Sequence, residues 1–220
     1  MRDFLFELIK QQPEAGKAAV WLRQQADTFL KTLQTAVFYK TFTAIPRFTG
    51  KEPLVVSPEM VAELDRLRPG FVMNDWTLDR LARVWWLLIL PADDETGYVR
   101  RISELFKAAE MNELVALYSA LPVLAFPEAW QFQATEGVRN NIGDVQTAIM
   151  LHNPYPADYL DEAAWNQLVL KAFFTDKDVS QITGLDRRNN ARLAQTLLDY
   201  ASERRAAGRS VPDMIEQLVR

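Results

Sequence analysis

Along nearly the whole chain, apolar residues recur at the spacing that gathers them on one face of an α-helix. Phe4, Leu5, Leu8 and Ile9 predict a short first helix that Pro13 ends. A longer helix is expected from Glu14 to about Tyr39, where Ala18, Leu22, Phe29, Leu33, Ala36 and Val37 keep roughly helical spacing. The next segment, TFTAIPRFTGKEPLVVSPEM, carries Pro46, Gly50, Pro53 and Pro58. Each proline removes an N–H and crowds the preceding turn, so an extended surface crossing is expected there. Ser57 followed by Pro58 is an N-cap with the favoured first-turn proline, opening a helix through Met60, Val61, Leu64 and Leu67. Leu78, Leu81, Ala82, Trp85, Leu88 and Ile89 define another. Its polar face bears Asp79, Arg80 and Arg83, with Asp79 and Arg83 spaced to pair on the surface. Ile102, Leu105, Phe106 and Ala109 mark a further helix, and Leu114, Leu117, Tyr118 and Leu121 another. One through Trp130, Phe132 and Ala134 is expected to weaken at Gly137. Gly184 fits a C-cap; Ala194, Leu197, Leu198 and Ala201 then face inward, Gly208 ends that helix, and Ser210 to Asp213 is a last capping signal.

No run alternates strictly between apolar and polar, and Asn-Gly turn pairs are missing, so the chain is expected to be all-α over a single domain, 1–220. About ten short antiparallel helices on tight Pro and Gly corners would stack as a degenerate α–α superhelix of the HEAT or armadillo kind, or close into an irregular bundle.

The stretch TEGVRNNIGDVQTAIMLHNPYPADYLDEAAWNQLVLKAFF, from Thr135 to Phe174, threads polar groups through two apolar patterns: Arg139, Asn140, Asn141, Asp144, His152, Asn153, Asn166 and Lys171. Asn141 and Asp144 have N-cap and N3 spacing, predicting a helix from about Ile142 to Leu151. Val145, Ala148 and Ile149 share a face with His152 at its C-terminal end, which points the only histidine inward. His152 is read either as a core histidine bonded to a carbonyl, Asp or Asn, or as a general acid or base, with Asp144 the other candidate for moving a proton. NPYP stops that helix and Asp161 caps the next, where Trp165, Leu168, Val169, Ala172 and Phe173 form the buried face, extended by Leu170 and Phe174. Lys171 either snorkels to the surface or meets a ligand, and Asn166 is either a satisfied core amide or a contact. If the corner makes the two helices antiparallel, Arg139 falls near Lys171 as a cationic subsite and His152 near Asn166 as a neutral one. The candidate ligand-binding residues are therefore Arg47, Arg139, Asn140, Asn153, Asn166 and Lys171. Arg47 comes from the TGK segment, where Lys51 is its neighbour; the glycine and strand of a P-loop are missing before it.

The 220 residues carry 25 basic and 29 acidic groups, a net charge of -4 without a basic block, so nucleic-acid binding is not expected. Without cysteine, disulfides, thiolate catalysis and Cys-ligated zinc or iron–sulfur sites are excluded, and one histidine removes a His-rich centre. No cofactor and no metal site is expected, although an all-carboxylate magnesium site stays open. The most hydrophobic run, VWWLLILPA, is too short to span a bilayer, and the amino terminus lacks a signal-peptide pattern, so a soluble cytoplasmic protein is expected.

ALPVLAFPEAW, EGVRNNIGDVQTAIMLHNPYPADYLDEAAWNQLVLKAFF, ITGLD and LLDYASERRAAGRSV, with IPRFTGK as a weaker echo, give the chain its resemblance to the EboA family. The resemblance implies a bacterial protein encoded beside a TatD-like metal hydrolase, a UbiA-type membrane prenyltransferase, and proteins similar to sugar-phosphate cyclases and sugar isomerases. It further implies a cluster that makes or moves a small metabolite, linked in cyanobacteria to export of a sunscreen-pigment precursor. Two functions compete. In the first, a non-catalytic helical accessory binds a cluster enzyme, including peripheral contact with the membrane enzyme, or hands over an anionic metabolite. In the second, an enzyme grips a phosphorylated or otherwise anionic substrate with Arg139, Lys171 and Arg47 while His152 or Asp144 moves a proton. Convergence of Arg47, Arg139, His152 and Lys171 in one pocket would favour the enzyme; dispersal would favour the accessory.

Overall fold

Helical periodicity is realised from end to end in the computed structural model, which describes residues 1–13 and 15–219. Fourteen α-helices are present among the described residues: α1 (Arg2–Gln11), α2 (Gly16–Thr32), α3 (Thr35–Thr49), α4 (Pro58–Leu67), α5 (Leu78–Leu87), α6 (Glu95–Ala108), α7 (Met111–Ala120), α8 (Gln131–Arg139), α9 (Gly143–Met150), α10 (Tyr155–Tyr159), α11 (Glu162–Phe174), α12 (Leu185–Arg188), α13 (Ala191–Ala206) and α14 (Asp213–Leu218). The chain is all-α, and the one extended pairing among these residues is an isolated antiparallel bridge between Pro53 and Thr77. Ser57 caps α4 by accepting from the Met60 amide, and Asp161 caps α11 by accepting from Ala164 at 2.7 Å, both as their sequence signals require.

The expected second helix is two. Glu14, its expected start, lies outside the described residues. The chain turns at Leu33, whose backbone is left-handed with φ 51°, so that α3 folds back against α2. Phe29 and Phe38 meet across this turn at 5.2 Å, and Trp86 of α5 packs on Phe38 at 5.6 Å. Aromatic burial thus outweighs the local cost of the left-handed residue.

The expected extended crossing is helical as far as Thr49, with Pro46 inside α3. Pro46 has no N–H for the Phe42 carbonyl, and α5 supplies the missing donor: Arg83 Nε reaches Phe42 O at 3.3 Å. Arg83 also meets Asp79 at 3.0 Å, and both side chains are almost wholly buried. The expected surface pair is therefore a core ion pair, because α5 has neighbours on several sides: α1, α3 and α7 all pack on it. Every residue of α5 except Arg80 is buried.

Two further expectations change. Gly137 does not weaken α8; a side chain there would run into the Tyr118 ring of α7, so the glycine permits close packing. Gly184 precedes α12 with φ 80° and is not a helix C-cap, and Ser210 does not cap α14, whose N-cap position is Pro212. From α5 the packing continues through α7 to α9, on to α11, and from there to α13 and α14. This row of neighbours leaves a recess where α5, α7 and α9 meet.

Candidate functional site

The recess is a cleft of about 370 Å³ lined by α5, α7 and α9, by the loop preceding α5, and by the turn after α9. Its volume lies within the usual range for small-molecule sites. Arg80 reaches into it from α5. The guanidinium lies over the Trp76 ring at 4.3 Å, and Nε donates to Ser119 Oγ at 2.9 Å. The Ser119 hydroxyl in turn donates to the Val115 carbonyl one turn back on α7. Stacked on one face and tied at Nε, the fork has a fixed plane. Among the described residues its terminal nitrogens have no hydrogen bond or ion pair, and Arg80 lines the cleft. Burial pushes the Arg80 pKa down to about 10, against the pull of Asp79, Asp144 and Asp75. The group is charged at neutral pH, with acids nearby but none bonded to its terminal nitrogens.

Two residues of the rim have left-handed backbone, out of five non-glycine residues with positive φ among those described: Asp75 at 57° and His152 at 54°. His152 is pinned on both sides, its N–H donating to Gln181 O at 2.9 Å and its carbonyl accepting from the Val72 amide at 3.3 Å. Its half-buried imidazole lines the cleft and makes no hydrogen bond among the described residues. The expectation of an inward-facing residue on the helix is corrected: α9 ends at Met150, and His152 stands in the turn beyond it.

The other sequence candidates disperse. Asp144 lies in the first turn of α9 and lines the cleft. Asn153 is buried beneath it with its polar atoms occupied: the amide donates to Tyr118 O at 3.1 Å and Ala148 O at 2.8 Å, and Oδ1 accepts from the Tyr155 amide at 3.0 Å. Arg47 is exposed on α3. Arg139 is exposed and pairs with Glu136 at 2.9 Å. Lys171 donates to the Asn140 carbonyl at 2.8 Å, which Gln146 also reaches at 2.8 Å. Asn140, rather than Asn141, turns the chain into α9: its Oδ1 accepts from the Ile142 amide at 2.7 Å, while Asn141 is exposed and makes no cap. Asn166 exchanges hydrogen bonds with Asn190 at 3.2 and 2.8 Å, and Asn190 caps α13. The two expected subsites are thus replaced. Lys171 faces a carbonyl instead of sharing an anion with Arg139, and Asn166 faces Asn190 instead of His152.

Arg80 is the residue that sequence reasoning passed over. Its signal was present, since Arg80 lies four positions after Trp76 at the entrance to the helix that carries the VWWL run, where a guanidinium can fold back over the indole. Among the described residues no three His, Asp or Glu side chains gather into a metal-binding group, and no helix is long and apolar enough to cross a membrane.

Comparison with curated proteins and with solved structures returned no match. The family described as metabolite traffic protein EboA matches residues 1–220, and the chain belongs to that family.

Proposed function

We propose that the protein is a non-catalytic accessory that holds a small metabolite in the Arg80 cleft by an anionic group of the metabolite and exchanges it with another protein of its gene cluster, acting in the cytoplasm as a single domain. The observation that carries this is the Arg80 fork, which lies over Trp76, is tied to Ser119 through Nε, and keeps its terminal nitrogens unbonded among the described residues while Arg80 lines the cleft. A planar guanidinium of this kind suits bidentate contact with a carboxylate or phosphate. The family description, metabolite traffic protein, agrees with a carrying role. Dispersal of Arg47, Arg139 and Lys171 away from His152 favours the same reading, and among the described residues no nucleophile, base and orienter are joined by hydrogen bonds at the cleft.

Titration calorimetry with sodium sulfate tests it. Sulfate binding is expected in the wild-type protein and is lost in Arg80→Gln; equal affinity in the two would remove the proposal. One observation keeps an enzyme reading alongside: His152 and Asp144 border the same cleft as Arg80. A metabolite retained through native purification, identified by mass spectrometry, separates the two. The accessory returns it unchanged, whereas an enzyme converts it at a rate that His152→Gln lowers.

A further inference from the structure

The Arg80 cleft also contains two carboxylates without a partner. Asp75, in the loop before α5, and Asp144, at the start of α9, both line the cleft and are exposed. Among the described residues neither makes a salt bridge or a side-chain hydrogen bond. Asp79, the third acid there, is already occupied by Arg83 at 3.0 Å and the Thr77 hydroxyl at 2.5 Å. Arg80 cannot swing to neutralise the other two, because its plane is fixed on Trp76 and its Nε on Ser119. Lys51 adds a second positive charge at the rim. With Asp79 taken up by the buried Arg83, Arg80 and Lys51 are left facing Asp75 and Asp144 across the cleft lining. A simple anion docking on Arg80 would be repelled by both carboxylates. A ligand carrying both signs would meet a partner for each.

We infer that the ligand of this cleft is an amino-acid-like zwitterion, its carboxylate taken by the Arg80 fork and its ammonium by Asp75 and Asp144. This rests on the reading of Arg80 as the anion anchor. Among the remaining polar lining, Asn74, Asn112 and Gln181 add uncharged donors and acceptors, and Val115, Ala148 and Leu151 provide an apolar wall for a side chain.

Calorimetry on the full chain tests it with L-leucine, L-phenylalanine and L-glutamine, each beside its deaminated acid and its decarboxylated amine, and with sodium sulfate and glycerol phosphate as simple anions. At least one amino acid is expected to bind about tenfold tighter than both of its analogues. In Asp144→Asn and Asp75→Asn that preference over the deaminated acid shrinks, while sulfate binds more tightly. Both acids are exposed, so these variants retain the fold. The inference is overturned if every deaminated acid binds as well as its amino acid, if the preference survives in the Asp75→Asn, Asp144→Asn double variant, or if glycerol phosphate alone outcompetes sulfate, which would assign the two acids to hydroxyl groups. In each of those cases, sulfate binding that Arg80→Gln abolishes leaves the anion anchor standing. Sulfate and amino acids indifferent to Arg80→Gln would remove both readings.

Discussion

Helix α5 and the passage from α8 to α11 both set charged and amide side chains among apolar ones, and the two regions use them in opposite ways. In the α8–α11 passage the buried polar groups are closed off by backbone: Lys171 and Gln146 on the Asn140 carbonyl, Asn140 on the Ile142 amide, Asn153 on two carbonyls and an amide, while His152 and Asp144 are the ones that reach the cleft. Along α5, Arg83 is likewise satisfied, but Arg80 one turn earlier is fixed in place and left with free donors at a cleft. A polar residue in an apolar pattern therefore marks a site only when the fold restrains it without satisfying it. Restraint alone is ordinary core chemistry.

Four measurements test the difference between the two regions. The largest effect is expected for Arg83→Met, which strands Asp79 in the core and leaves Phe42 O without its donor; chemical denaturation should register a loss of about 3–5 kcal/mol. Adding Asp79→Leu should recover part of it, and no recovery would mean that the Phe42 contact dominates. Next comes the pH profile of sulfate binding. Burial lowers the Arg80 pKa to about 10, and the bound anion favours the charged form, so affinity holds below that pH and falls as pH rises through it. In the limit the fall is about tenfold per pH unit. A fall completed well below that range would assign the anion to a different cation. Lys171→Met should cost only about 1 kcal/mol, the worth of one hydrogen bond to a carbonyl, and leave sulfate binding untouched. Weakened sulfate binding in that variant would return Lys171 to the site. The smallest effect is expected for Asn141→Ala, within about 0.5 kcal/mol, since its side chain caps nothing. A loss as large as that of Asn140→Ala in thermal denaturation would restore it as the cap.

What the sequence made legible follows the range of the interactions involved. Helical class, the Ser57 and Asp161 caps, and the stop at NPYP are settled by neighbours a few residues apart. The turn at Leu33 was hidden because its cause is the meeting of Phe29, Phe38 and Trp86, with neither Gly nor Pro at the turn to announce it. Pro46 misled for a related reason, since the donor that lets α3 continue lies 41 residues away on α5. Of the candidate site, His152 and Asp144 do border the cleft, but Arg139, Asn166 and Lys171 are engaged elsewhere. Polar spacing alone could not separate those cases, because it does not state where the partner stands.

The completion of α3 by Arg83 also bears on the order of assembly. Until α5 arrives, the carbonyl of Phe42 faces a proline with nothing to offer, and the final turns from Pro46 to Thr49 lack one rung of their ladder. Docking of α5 supplies that donor, so in hydrogen exchange the amides at the end of α3, including Gly50 bonded to Pro46 O, should open together with α5 instead of fraying with the beginning of their own helix. The two segments would then act as one cooperative unit joined through a single guanidinium, a unit that cuts across the helix boundaries.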